Sequence, residues 1–185
     1  MNKIILASGS PRRKDILTAH GIEFEILVSD VDESFSETNP KKVVEELSRR
    51  KAKAVWEEHQ NRIVLGADTV VAYEDEILGK PKDDEDAFRM IQLIQGKRHQ
   101  VYTGVTICSK EKTVTFAEKT DVIVAPMTEE EVKAYIATKE GRDKAGSYAI
   151  QGLFGRYILG YDGDYENVVG LPGSRVGTVL LSSFF

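Results

Sequence analysis

Residues 3–21 read Lys3-Ile4-Ile5-Leu6-Ala7-Ser8-Gly9-Ser10-Pro11-Arg12-Arg13-Lys14-Asp15-Ile16-Leu17-Thr18-Ala19-His20-Gly21. The apolar run from Lys3 to Ala7 predicts a short strand. Ser10 fits the N-cap of a helix, and Pro11 fits its first position, where a missing N–H costs nothing. The helix runs to about His20, and Gly21 fits the left-handed position just past its end. Residues 24–28 then read as a second strand. Strand, capped helix and strand set the pattern that the rest of the chain extends.

Asn39-Pro40 repeats the cap-plus-proline signal and opens a long helix to about His59. Val43, Val44, Leu47, Ala54 and Val55 give it one apolar face. Residues 63–73 are rich in strand formers, and Glu74-Asp75-Glu76 turns them towards Ile77-Leu78. Asp83 or Asp84 starts an acidic-capped helix that Gly96 ends. Residues 100–108 and 113–124 read as the two strands of a hairpin. Thr128 with Glu131 three residues later is a capping box, opening a helix to about Thr138. Residues 142–152 are polar and contain glycine, hence a loop. Residues 154–159 read as a strand, Asp162-Gly163-Asp164 as a turn, and Pro172 as the start of a last helix ending near Ser182. Strands and helices interleave while hairpins break strict alternation. That predicts an α/β fold with a mixed sheet and flanking helices, in a single domain over residues 1–185.

The 185 residues carry 25 basic and 30 acidic side chains, a net charge of −5, which argues against a nucleic-acid partner. No apolar stretch approaches the ~18 residues of a membrane helix, so no membrane partner is expected. The apolar run at the start is too short for a signal peptide, and the single cysteine, Cys108, has no intrachain partner. A reducing cytoplasm is the expected location. His20, His59 and His99 are scattered and lack zinc-ligand spacing. Cys108 and Trp56 read as packing residues, and His99 as structural.

Chemistry is concentrated elsewhere. Arg12 and Arg13 lie in the first turn of a helix, where the macrodipole disfavours cations. Local stability does not account for them; an anion held by free N–H groups, both guanidinium groups and the Ser8 hydroxyl does. Solvated or carboxylate-paired arginines are the ordinary alternative. Asp68 interrupts the apolar run Val64-Leu65-Gly66-Ala67-Asp68-Thr69-Val70-Val71. A carboxylate there is costly unless satisfied. It either binds a cation or takes a proton from water, or it caps nearby backbone N–H groups. Gly66 would let a ligand approach the backbone closely.

Lys80, between Gly79 and Pro81, has a restrained base and can meet phosphate, though turn lysines are commonly just exposed. In the run Arg49-Arg50-Lys51-Ala52-Lys53, Lys53 flanks the apolar face and is expected to reach inward. Asp32 and Glu33 follow a strand, and either can reach a metal. The segment Asp143-Lys144-Ala145-Gly146-Ser147-Tyr148-Ala149-Ile150-Gln151-Gly152 has the composition of a recognition loop, in which Gln151 offers a base one donor and one acceptor. Cationic groups, a few carboxylates and no evident nucleophile fit metal-assisted hydrolysis of a polyphosphate.

At these residues the sequence resembles the Maf family of nucleoside triphosphate pyrophosphatases. The resemblance is carried by residues 6–13, Gly66-Ala67-Asp68-Thr69, Gly79-Lys80-Pro81, Asp143-Lys144-Ala145-Gly146 with Tyr148, Ile150-Gln151-Gly152, and Asn167-Val168-Val169-Gly170-Leu171-Pro172, in order along nearly the whole chain. It implies a mixed α/β fold, like that of inosine triphosphate pyrophosphatases, with two lobes around a deep cleft, and often a homodimer. It implies hydrolysis of a nucleoside triphosphate to monophosphate and pyrophosphate with a divalent metal (Mg²⁺, Mn²⁺ or Co²⁺). Asp68 matches the family's proton acceptor. Ser8, Arg13, Lys53 and Lys80 match phosphate-site positions, with Arg12 beside them, and Glu33 with Asp68 match the metal region. Arg12, Thr69 and Gln151 match the branch acting on dTTP and UTP, modified uridine triphosphates included; the 7-methyl-GTP branch carries Trp, Gln and Glu there. An inosine or xanthosine triphosphate pyrophosphatase, a septum-formation regulator and a nucleotide-binding module without catalysis are the alternatives.

Overall fold

The opening unit folds as its residues predict. In the computed structural model, which describes residues 3–185, β1 (Ile4–Leu6) leads through Ser8-Gly9-Ser10 into α1 (Pro11–Ala19) and returns as β2 (Phe24–Ile26). Met1 and Asn2, part of the single-domain span, lie outside the described residues. The Ser10 side chain accepts from the Arg13 amide, and Gly21 takes φ 68°, which ends the helix. A second crossover, α2 (Pro40–Glu58), capped by Asn39, leads to β3 (Val64–Tyr73), which pairs with the other side of β1. β1, β2 and β3 are parallel.

The remaining strands join antiparallel. β4 (Glu76–Leu78) folds back on β3 through a tight turn. α3 (Asp84–Ile94) precedes the hairpin of β5 (Arg98–Cys108) and β6 (Thr113–Val124), and β5 lies along nearly all of β3. α4 (Glu129–Ala137) opens on the expected capping box. β7 (Ile158–Asp162) is the edge strand, and α5 (Tyr165–Val169) and α6 (Gly173–Ser183) close the chain. The sheet order is β2-β1-β3-β5-β6-β7, with β4 beside β3. Among the described residues, no helix is long and apolar enough to cross a membrane.

The sheet's two faces are covered differently. On one, Leu65, Ala67, Val101 and Val105 pack with apolar residues of α1, α3, α4 and α6. On the other, α2 packs alone, through Val43, Val44, Leu47, Ala52 and Val55. It lies unusually close. A Cβ on Gly66 would sit 2.6 Å from the Ala52 nitrogen and 2.7 Å from the Ser48 carbonyl oxygen. A Cβ on Gly104 would collide with the Val44 carbonyl. Gly66 therefore makes room for a helix, not for a ligand. Between these glycines the buried Ser48 hydroxyl meets Thr106 Oγ1 at 2.9 Å.

Two elements depart from expectation. The strand predicted over residues 154–159 is a 3₁₀ turn, Leu153–Tyr157, followed by β7. The Glu140 carboxylate accepts from the Leu153 and Phe154 amides, at 2.8 and 3.4 Å, which starts the turn. Phe154 is buried among Tyr135, Tyr148 and Tyr157, which holds it. The five-residue α5, capped by Asp164, is too short to show a helical period in the sequence.

Gly104→Ala should lower stability by about 3 kcal/mol or more, because the backbone it meets cannot rotate away. Chemical denaturation measures this, and a loss near zero would contradict the close packing of α2. His99 gives a pH signature. It is fully buried, with Nε2 2.7 Å from the Tyr148 hydroxyl, and burial lowers its pKa to about 4. The unfolded chain therefore binds a proton that the folded chain refuses between pH 6.5 and about 4. Stability present above pH 6.5 is lost as pH falls through that window, on the order of 3 kcal/mol in full. The stability gap between wild type and His99→Gln should narrow over the same range.

Candidate functional site

β3 outruns its neighbours. β1 pairs with it only at Val64 and Leu65, and β4 only from Val71 onward. Residues 66–70 thus have no strand beside them on that edge. A cleft of about 670 Å³ opens there. It lies at the carboxyl end of β1, where one crossover runs over each face of the sheet, the usual place for a ligand in such folds. Asp68 and Thr69 point to opposite faces of β3, and both line the cleft.

On the α2 side, Asp68 is buried, and Lys51 Nζ lies 2.8 Å from its Oδ1. The same ammonium is 2.6 Å from Glu33 Oε1. The Lys51 hydrogen bond holds the Glu33 carboxyl below its usual range, with the charges of Lys51, Lys80 and Arg13 adding to it. The Glu33 loop is fastened to α2 by Arg50, whose Nη1 donates to the Asp32 and Ser34 carbonyls at 2.9 and 2.8 Å. Asp32 itself folds back onto the Ser34 amide and hydroxyl. Of the adjacent pair, Glu33 is the one that faces the cleft.

On the other side stands Arg13. Its Nε donates to the Gly170 carbonyl at 2.8 Å, Nη1 to Ser8 Oγ at 3.1 Å and Nη2 to Thr69 Oγ1 at 3.0 Å. Burial pushes its pKa down, with the nearby Asp68 charge opposing, yet an arginine keeps its proton. Arg12 Nε donates to the Val169 carbonyl at 3.1 Å. Both guanidinium groups are thereby held at the first turn of α1 by the last residue of α5 and its C-cap.

The far wall is the loop carrying Gln151. The Gly146 amide donates to the Gly79 carbonyl at 3.1 Å, which ties this loop to the arm carrying Lys80. Gly146 takes φ 70°, and a Cβ there would press on Val71 Cγ2 at 2.7 Å. Tyr135 and Glu140 pin the loop from behind, through the Ala149 and Leu153 amides.

Ser8, Arg12, Arg13, Glu33, Asp68, Thr69, Lys80 and Gln151 are therefore brought to one cleft. Lys53 is not. It is 67% exposed, 3.8 Å from Glu57, whereas Lys51 is 17% exposed and inside. The correction is one of helical phase. The buried stripe runs through Val44, Leu47, Ser48, Ala52 and Val55, not Ala54, and Lys51 falls on it. Two helical residues apart is about 200°, which turns Lys53 to solvent. Thr103 and Asn167, buried behind the cleft, carry no sequence signal beyond Asn167's place in a family-like string.

Glu33 and Asp68 converge on one cation-sized point, now held by the Lys51 ammonium. Among the described residues, no cluster of three or more His, Cys, Asp or Glu side chains could hold a metal. Two carboxylates suit a hard ion that takes its other ligands from water and a bound anion, as Mg²⁺ does.

A family model described as Maf-like protein matches residues 3–183. Curated proteins named dTTP/UTP pyrophosphatase, from Bacillus cereus (strain ZK / E33L) and Bacillus anthracis, are each 54% identical over 177 residues, covering 95% of this chain and 93% of theirs. Among solved structures, the Staphylococcus aureus Ham1 protein aligns over 67% of this chain and 72% of its own, with TM-score 0.46 and 16% identity.

The cleft's charge can be tested with a simple anion. Arg13→Ala should weaken tripolyphosphate binding about tenfold or more, and Lys53→Ala less than about twofold, by calorimetry. Equal losses would return Lys53 to the site.

Proposed function

The chain belongs to the Maf-like protein family, and from that premise we propose that it hydrolyses dTTP and UTP, with modified uridine triphosphates, to the monophosphate and pyrophosphate. The observation that carries this reading is the meeting of Arg12, Arg13 and Lys80 with the Glu33–Lys51–Asp68 cluster across one nucleotide-sized cleft. The names of the 54%-identical relatives support the same reading.

Arg12, Arg13 and Lys80 bind the triphosphate, with the Ser8 hydroxyl and the Arg12 amide beside them. Lys51 lies between the Glu33 and Asp68 carboxylates, and removing it would leave the buried Asp68 without its ion-pair partner. Asp68 takes a proton from water; the water oxygen bonds to the α-phosphorus, and the bond from that phosphorus to the bridging oxygen breaks. Pyrophosphate leaves with that oxygen. With the Lys51 ammonium moved aside, Glu33 and Asp68 would hold a divalent ion (Mg²⁺, Mn²⁺ or Co²⁺), which would supply positive charge to the phosphates.

Gln151 lines the same cleft, and its amide can meet the N3–H and adjacent carbonyl of uracil or thymine with one acceptor and one donor. Thr69 acts through Arg13, whose Nη2 it accepts. We place the activity in the cytoplasm, where the buried free thiol of Cys108 is at home.

Pyrophosphate release from a panel of dTTP, UTP, CTP, ITP, XTP, 7-methyl-GTP and the common purine triphosphates tests the reading. dTTP and UTP should lead. A preference for ITP or XTP would replace the pyrimidine assignment while keeping the chemistry. Asp68→Asn should lose about 10²-fold or more in kcat while melting near wild type. Wild-type turnover in that variant would remove Asp68 as the base.

A further inference from the structure

The two arginines owe their placement to carbonyls, and those carbonyls owe theirs to Asn167. Arg12 Nε and Arg13 Nε donate to Val169 O, the last residue of α5, and to Gly170 O, its C-cap. A helix of five residues does not hold its own position in water. Asn167 supplies the anchor. It is fully buried, and its Nδ2 shares its two N–H bonds among Thr120 Oγ1 at 2.9 Å, Val101 O at 3.2 Å and Glu118 O at 3.3 Å. These acceptors lie on β5 and β6, inside the sheet. Its backbone carbonyl accepts from Thr103 Oγ1 at 3.2 Å, and Thr103 Oγ1 is 2.8 Å from Thr69 Oγ1, the acceptor for Arg13.

Asn167 is thus joined to the arginine pair by two routes: along the backbone to Val169 and Gly170, and through Thr103 and Thr69. The amide is not an ideal filler, because its Oδ1 is buried without a partner among the described residues. That leaves one hydrogen bond of the group unmade. Gly170 takes φ 140°, a conformation that side chains resist, at the point where the chain presents its carbonyl to Arg13.

We propose that Asn167 is a positioning residue of the phosphate site, fixing the end of α5 and Gly170 so that Arg12 and Arg13 present their remaining N–H groups to the triphosphate. It touches no substrate. The inference rests on the arginines binding phosphate, as proposed above. It is distinct from a role in stability, because its effect must pass through the arginines.

The test is a double-mutant cycle in kcat/KM for dTTP, with thermal melts on each variant. Asn167→Ala alone should lower kcat/KM about tenfold, chiefly through KM. In an Arg12→Ala, Arg13→Ala background the same change should cost less than about threefold, since nothing remains to be positioned. Equal cost in both backgrounds, or no effect in the first, would overturn the proposal. A double-arginine variant with wild-type KM would overturn the phosphate reading and this inference with it. If Asn167→Ala does not fold, Thr103→Val removes the hydroxyl link on the same route and enters the same cycle, with the same two outcomes.

Discussion

Everything in the cleft depends on how closely α2 lies on the sheet. Two glycines on adjacent strands, Gly66 and Gly104, have no side chain where α2 passes over them, and the helix backbone fills that place. Only at that separation does Lys51, on the helix, reach Asp68 on β3 and Glu33 on the opposite loop. A thicker layer would take the Lys51 ammonium away from Asp68. Packing and electrostatics are one problem here, solved by the omission of two methyl groups.

The sheet contributes the other half through a missing neighbour. A strand with partners on both edges offers a ligand only its faces. Because β1 stops early and β4 starts late, β3 exposes an edge, and successive residues from opposite faces reach the same space. Asp68 brings the carboxylate chemistry from the α2 face, and Thr69 brings the hydroxyl that holds Arg13 from the other. Guanidinium and carboxylate groups therefore meet at one strand edge.

Much of this was legible in the residues. Capping signals at Ser10, Asn39 and Thr128 located three helices, because a cap is a local contact between near neighbours. The charges that local stability could not explain, Arg12, Arg13 and Asp68, all stand in the cleft. Illegible features were those set by contacts distant in sequence. Lys51 and Lys53 look alike along the chain, and a stripe drawn through Ala54 instead of Ala52 chooses the wrong one. The turn at Leu153 is imposed by Glu140, thirteen residues earlier, against residues that otherwise suit a strand. Gly66 announces a close approach but not what approaches.

The bond between Gly146 and Gly79 joins two walls that would otherwise answer to different parts of a nucleotide. One bears Gln151, the other Lys80. With that tether, the Gln151 loop and the Lys80 arm share one backbone link, so a displacement of one is opposed by the other. On the proposed reading, a poorly fitting base would be felt at the phosphates, and selectivity would be expressed in the rate of reaction as well as in affinity.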